Sequence, residues 1–562
     1  MSGTATLRLR MAPDMRLARI ALWLAAALFA AALVAPMAML LVRAAQDQAG
    51  AFVGLANVAA YAGTPALASS VWNSVWTSAL STAIVVPLAF AYAYALARAC
   101  IPLKGLFRAA MLIPILAPTL LPALAMITLF GNQGLFRPWL PEGFSVYGPW
   151  GIVAAQVFAN FPHAAIILSV ALATADARLY EAATVLRASR LRIFLTVTLP
   201  GAAYGLVSAA VVAFTLAITD FGIPKVVGGN FNVLATDVYK QVVGQQNFNM
   251  GAVVGLVLLV PAVVGFFLER WAGRQRAATL SGRAVAYVPA PRPARDLPLF
   301  LLALAVALVL VGIVGVAAWS SLVAFWPWNL SLTLANYDFA RFDANGWGSV
   351  VTSVQMALLA ALLGTPVVFT LAYLLERGPA RGALGTALRL AVTMPLAIPG
   401  LVLGLAYILF FNHPANPLGV LYGTLAILVL NSIVHFYTVA HLAATAAIRQ
   451  LDPEFEAVGA SLKVPLWHTF ARVTVPISLP AVLEVAVYLF VNAMTTVSAV
   501  IFLYGPATKT ASVAVVHMDE AGQQSAAAAM ACVILAITAA AKLLQIAAGG
   551  AVERATQRWR RR

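Results

Sequence analysis

Residues 176–200 read DARLYEAATVLRASRLRIFLTVTLP, a charged stretch set between two long apolar runs. Asp176, Arg178, Glu181, Arg187, Arg190 and Arg192 crowd into it. An ion inside hydrocarbon costs about 3 kcal/mol or more, so this stretch is a loop on one face of a membrane. Its core, EAATVL, consists of good helix formers and Pro200 ends it, which predicts a short helix outside the spans. A related stretch returns at residues 452–476, DPEFEAVGASLKVPLWHTFARVTVP. Two short charged helices in an apolar chain predict docking points for a soluble partner.

The surrounding composition agrees with a membrane. The 562 residues are 62% hydrophobic and 10% charged, with a mean hydropathy of +0.91. So little charge cannot cover a soluble protein, and the lipid bilayer is the expected solvent. The net charge of +16 does not point to nucleic acid, because Arg and Lys sit in loops between apolar runs. Cys100 and Cys532 read as single buried thiols rather than a disulfide or metal pair. The apolar run 20–41 follows Arg8, Arg10, Arg16 and Arg19; it exceeds a signal-peptide core and reads as an uncleaved first span.

Hydropathy predicts an all-α polytopic fold of about twelve spans, each able to cross ~30 Å of hydrocarbon at ~1.5 Å per residue. In the first half they cover 20–42, 70–97, 105–130, 148–173, 202–224 and 248–269. In the second they cover 297–323, 349–375, 385–411, 418–445, 478–502 and 523–547. The face holding the N-terminus, both charged loops and the C-terminal tail collects 28 Lys and Arg, and the other face 6. Both termini and both loops are therefore expected in the cytoplasm.

Residues 270–296 are basic, then Pro/Ala-rich, and read as a flexible linker between residues 1–269 and 297–550, with a basic tail at 551–562. The two halves repeat one another. Ser74, Pro87, Tyr94 and Arg98 recur as Ser353, Pro366, Tyr373 and Arg377 at an offset of 279. Pro114 and Pro118 recur as Pro395 and Pro399 at 281, and Pro200 and Phe214 as Pro476 and Phe490 at 276. Gly244-Gln245-Gln246 recurs as Gly522-Gln523-Gln524 at 278. This is a tandem duplication, and six spans per half insert both copies in the same orientation.

The run from Glu181-Ala182-Ala183 to Leu199-Pro200 resembles the EAA loop of ABC importer permeases, the inner-membrane components of binding-protein-dependent transport systems. The resemblance covers nearly the whole chain, as two tandem six-helix permease domains. It implies a bacterial inner-membrane protein whose two loop helices seat in two copies of a separate ATPase subunit, with a periplasmic binding protein delivering cargo. No cofactor would be bound by this chain, since ATP and Mg belong to the ATPase. The coupling residues implied are Glu181, Ala182, Ala183, Arg187 and Pro200, then Glu456, Ala457, Gly459, Lys463 and Pro476. Two departures stand out. Arg187 occupies the position of the family's glycine, six residues after Glu181. Aligning Leu462-Lys463 with Leu186-Arg187 sets Ala457 opposite Glu181, so Glu456 falls one residue early, about 100° round a helix. The basic residues of both loops serve equally as ordinary positive-inside charges.

No phosphate-binding G-x-x-x-x-G-K-[ST] loop occurs, and none of the six lysines follows a glycine. The six histidines lack ligand spacing, so no metal site and no enzymatic centre is expected. For a translocation pathway, Asp220 is the conspicuous intramembrane carboxylate, matched by Thr496 in the second half. Asn73, Asn160, His163, Asn492 and Thr495 are further candidates, each equally readable as interhelical hydrogen-bonding. Pro87, Pro114, Pro118, Pro366, Pro395 and Pro399 are expected to kink their helices. For cargo, residues 219–254 (TDFGIPKVVGGNFNVLATDVYKQVVGQQNFNMGAVVG) and DPEFEAVGASLKVP look closest to 2-aminoethylphosphonate permeases, with ferric-iron permeases as the alternative. A major-facilitator transporter would also have two parallel six-span halves. Its acidic-basic signature is missing from the connection ARACIPLKG between spans two and three.

Overall fold

The structure, a computed structural model, describes residues 13–556 except 175, 280–284, 286 and 381; side chains are described for neither 13–14, 272–279 nor 551–556. Arg8, Arg10, Arg381 and residues 557–562 of the basic tail thus lie outside the described residues.

The chain folds as helices with one small hairpin. In the first half, α1 (Met15–Ala44), α2 (Pro65–Arg98), α5 (Pro149–Ala173), α7 (Arg190–Thr219) and α10 (Phe248–Thr279) are the long members. Between them lie α3 (Lys104–Leu116) and α4 (Leu120–Phe130), the loop helix α6 (Ala177–Val185), and two short helices, α8 (Gly222–Val227) and α9 (Leu234–Tyr239). The second half repeats the order. It has α11 (Pro293–Leu322), α12 (Gly348–Glu376), α13 (Gly382–Ala397), α14 (Gly400–Phe411), α15 (Leu425–His435) and α16 (Tyr437–Arg449). Then come the loop helix α17 (Glu454–Ser461), α18 (Leu466–Ile477), α19 (Leu479–Thr495), α20 (Ala511–Glu520) and α21 (Gln524–Thr556). Strands β1 (Val323–Phe325) and β2 (Asn329–Leu332) pair antiparallel after α11, and Trp326 between them donates to the Gln133 carbonyl of the first half at 3.1 Å.

Among the described residues, eight helices are long and apolar enough to cross a bilayer unbroken, and four more spans are bent pairs, so twelve results only when each pair counts as one. The pairs are α3/α4 at 100°, α13/α14 at 112°, α15/α16 at 55° and α18/α19 at 80°. The breaks in α3/α4 and α13/α14 fall at Pro118 and Pro399. Of the other prolines expected to kink their helices, Pro87 and Pro366 lie inside α2 and α12, which run on without a break, Pro114 lies inside α3, and Pro395 stands in a 3-10 turn, Met394–Ala397, that ends α13. A buried proline removes one ladder bond, and neighbouring groups can satisfy the freed carbonyl. Such partners stand at the end of α3 and just before the 3-10 turn of α13. Thr538 Oγ1 donates to Leu116 O at 2.6 Å, and Thr438 Oγ1 donates to Val392 O at 2.8 Å.

Within each half, α2 packs on α5 and α7, as α12 packs on α15, α16 and α19. The first span of each half crosses over. The Ala35–Ala44 part of α1 lies against α14 of the second half, and α11 lies against α3 and α4 of the first. Phe29 meets Tyr437 edge-on at 4.9 Å and Phe107 meets Phe300 at 5.9 Å across these contacts. Such ring pairs add ~1 kcal/mol each beyond the area they bury. The two repeats are therefore interleaved.

Both ends of the segment 270–296 are helical. α10 continues to Thr279 and α11 begins at Pro293. The Cys100 thiol donates to Pro289 O at 3.1 Å, so the Pro-rich end is packed rather than free.

Candidate functional site

The two loop helices emerge at the same end of the molecule and are built alike. In α6, Asp176 caps the N-terminus by accepting from Arg178 N at 3.1 Å. At its far end Ala188 N reaches back to Ala183 O and Arg187 N to Thr184 O, both at 3.0 Å, the double bond of a Schellman ending. In α17, Val464 N bonds Gly459 O at 2.8 Å and Lys463 N bonds Ala460 O at 3.1 Å, the same ending. That ending needs a left-handed residue, and both positions hold a long cation: Arg187 has φ 53° and Lys463 φ 56°. The departure from the family's glycine is thus repeated in both copies at the same geometry. Each loop then re-enters its span through a π-helical turn, Phe194–Thr198 and Phe470–Thr474.

What the loop helices present is apolar as well as charged. Leu179 and Leu186 are 57% and 80% exposed, and their counterparts Phe455 and Leu462 are 38% and 71% exposed. Glu181 and Ala182 point outward, as does Ala457, the residue aligned with Glu181. Glu456 does not join them. It turns inward, 4.0 Å from Arg377, and aligns with Tyr180 rather than with Glu181. Gly459 is buried, where an added Cβ would meet Thr469 Oγ1 at 2.9 Å, so it permits a close crossing of α18. Pro200 and Pro476 begin the helical segments that follow the π turns. Ala183 is half-buried.

The repeated Arg98 and Arg377 fasten these loops. Arg98 donates to Leu172 O at 2.8 Å; Arg377 donates to Ile448 O at 3.2 Å and Leu451 O at 2.7 Å. Both thereby satisfy carbonyls at the end of the preceding helix.

At mid-molecule, each half brings two chain breaks together. An added Cβ on Gly222 would meet Thr119 Oγ1 at 2.6 Å, and one on Gly400 would meet Ser498 Oγ at 2.7 Å. Asp220 and Thr496 cap α7 and α19 with nearly the same backbone, φ −69°, ψ 128° and φ −68°, ψ 135°. Asp220 Oδ1 accepts from Gly222 N at 3.2 Å, while its buried Oδ2 has no protein partner. The other pathway candidates take separate tasks. Asn73 donates to Asn232 O at 2.9 Å, Asn160 is buried in α5, and Asn492 and Thr495 bond back to carbonyls of their own helix. His163 is half-buried, and its Nδ1 has no protein partner.

The end opposite the loops is closed across the halves. Ser74 Oγ accepts from Leu234 N at 2.8 Å and Ser353 Oγ from Ala511 N at 2.7 Å, so the repeated serines pin α9 and α20. From α8, Lys225 reaches over to Glu520 of α20 at 2.5 Å. Lys225 also sits 4.6 Å above the Tyr239 ring, which stacks on Phe502 of the second half at 6.3 Å. A cavity of about 80 Å³ beside this pair is lined by Lys225, Lys240, Asn232 and Tyr239. Lys225 and Lys240 are two of the six cations that the sequence puts on this face; nothing in it singled out Glu520 or Tyr239. Among the described residues no group of His, Cys, Asp and Glu could hold a metal ion.

Known proteins resemble this chain in the same regions. The putative ferric transport system permease protein FbpB 1 of Haemophilus influenzae is 29% identical over 409 residues, 70% of this chain. The ferric transport system permease protein FbpB of Actinobacillus pleuropneumoniae is 28% identical over 443 residues, 76% of this chain. The matched part spans 63% of the length of each of these two relatives. The molybdenum transport system permease protein ModB of Escherichia coli K12 is 23% identical over 184 residues, 32% of this chain and 80% of that protein. With its halves each built round a loop helix, and with matches over residues 101–277 and 378–548, the chain belongs to the family of binding-protein-dependent transport system inner membrane components.

Proposed function

We propose that the chain is the transmembrane permease subunit of an ATP-driven, binding-protein-dependent importer in the bacterial inner membrane. The observation that carries this is the pair of loop helices, alike in their Schellman endings and in exposing apolar side chains (Leu179 and Leu186, Phe455 and Leu462), at one end of a duplicated bundle. Exposed apolar tips flanked by cations suit a groove on a soluble ATPase, and two such helices suit two copies of it. The loop end faces the cytoplasm by its excess of Arg and Lys. ATP-driven closure of the ATPase pair would draw α6 and α17 together and part the Lys225–Glu520 contact, opening the cavity to a cargo-loaded binding protein. Hydrolysis would return it to the closed arrangement. The chain itself makes and breaks no covalent bond.

The names of the two ferric transport permeases described above support ferric iron as the cargo. A second reading, 2-aminoethylphosphonate, is favoured by the resemblance of residues 219–254 and by the cavity lined by Lys225, Lys240 and Asn232. Two ammonium groups and an amide are complementary to phosphonate oxygens.

The test is uptake into proteoliposomes holding this chain with its ATPase and binding protein, using radiolabelled iron(III) and 2-aminoethylphosphonate separately. Glu181→Ala is expected to cut uptake per ATP about tenfold, an interface carboxylate of roughly 1.4 kcal/mol, without changing thermal stability. Glu456→Ala, by contrast, breaks an inward pair, leaves Arg377 without its carboxylate and is expected to lower thermal stability. Uptake driven by an ion gradient without the ATPase would refute the importer assignment, and transport of one cargo alone decides between the two.

A further inference from the structure

The two loop helices are fastened by different chemistry, and only α6 uses the connection between halves. Arg377 faces a carboxylate, Glu456 of α17, at 4.0 Å. Its counterpart Arg98 faces Tyr180 of α6, whose ring centre lies 4.9 Å from the guanidinium carbon. A second ring, Tyr287 from the connection, lies 4.5 Å from the same carbon, and the two rings are 4.7 Å apart. The segment that delivers Tyr287 is stitched to α6 itself. Ala177 N donates to Val285 O at 2.9 Å, and Val285 N donates to Asp176 Oδ1 at 3.3 Å. That oxygen is also the cap of α6. Beyond Tyr287 the segment is held by the Cys100 thiol at Pro289 and runs into α11, which packs on α3 and α4. Among the described residues, Arg377 has no ring over it.

We propose that Val285 and residues 287–292 form a strap and that Tyr287 is a positioning residue for the first coupling helix. This rests on the importer assignment above. Through the strap, a push on α6 is referred to the α2, α3 and α11 ends rather than absorbed by a loose loop. Arg98 has two ring faces against its guanidinium, whereas Arg377 meets the Glu456 carboxylate at 4.0 Å, with both of those side chains mostly buried. The two coupling helices are therefore unequal, α6 being the stiffer.

The test uses the full complex in proteoliposomes with Tyr287→Ala, Tyr287→Leu and Tyr287→Phe. The ratio of labelled cargo to ATP hydrolysed, read with both iron(III) and 2-aminoethylphosphonate, is expected to fall about fivefold in the Ala and Leu variants. The Phe variant, which keeps the ring, restores it. Hydrogen exchange should rise in α6 and not in α17, a readout that stands even if uptake is low. A wild-type ratio and unchanged α6 exchange in Tyr287→Ala, while Glu181→Ala still lowers the ratio, would overturn the strap alone. An unchanged ratio in Glu181→Ala as well would overturn the coupling assignment beneath it.

Discussion

At the scale of single residues, the loop endings carry the clearest strain. Arg187 and Lys463 hold left-handed backbone, which costs an L-residue ~1–2 kcal/mol relative to glycine. A cation retained twice at that cost implies that its charge is used. Arg187→Gly is expected to stabilise α6 by about 1 kcal/mol, seen as slower amide exchange, while lowering the affinity of the ATPase subunit. Arg187→Lys should keep the affinity. Asp519, at the end of α20, sets a pH dependence. Burial and then the neighbouring Glu520 push its carboxyl up to about 7, with Lys225 opposing. The unfolded chain releases this proton near ~4, so the folded state holds it over a window in which the unfolded state does not. Its contribution to stability is full below that lower value and is lost as pH rises through about 7. Melting temperatures in detergent should fall across that window, and Asp519→Asn should flatten the slope.

At the scale of elements, the broken helices are the main departure from what hydropathy foresees. A window of about 18 residues averages across a break of two or three residues, so α3/α4 and α13/α14 each read as one span although they turn by 100° and 112°. The prolines were visible, but residue type alone does not separate Pro118 and Pro399, at breaks, from Pro87 and Pro366, inside continuous helices. The repeated Ser74 and Ser353 were equally legible as a repeat; their bonds to the α9 and α20 amides come from residues some 160 positions away. The one-residue offset of Glu456 from the position of Glu181 was readable in the sequence because the loop is local, whereas its turn inward to Arg377 is visible only in the fold. At the breaks the halves solve one crowding problem in opposite ways, with glycine at 222 facing Thr119 and glycine at 400 facing Ser498. Gly222→Ser alone should overpack this crossing and destabilise by ~1–3 kcal/mol. Adding Thr119→Gly copies the arrangement of the second half and should recover most of the loss, measured as thermal unfolding of the purified protein.

At the scale of the whole molecule, interleaving of the halves was hidden because contacts between α1 and α14, or between α11 and α4, leave no local pattern in the chain. The positive-inside count locates ends but says nothing of which end is shut. Closure at the far end rests on the Lys225–Glu520 pair, which joins α8 of one half to α20 of the other and has side chains 20% and 39% exposed. Partial exposure limits such a pair to ~1 kcal/mol, yet it sits where the halves must part, so it biases an equilibrium rather than holding the fold. Lys225→Glu sets like charges opposite one another and should favour the outward-open arrangement. In the assembled complex, ATP hydrolysis without binding protein is then expected to rise about fivefold, the shift that ~1 kcal/mol makes in a two-state balance. Glu520→Lys alone should act in the same direction. The double variant Lys225→Glu/Glu520→Lys restores opposite charges and should return hydrolysis towards the wild-type level, a coupling that simple loss of folding cannot produce. Additive behaviour of the two changes would mean that the pair does not govern the far end, leaving the Tyr239–Phe502 stack as the contact that closes it.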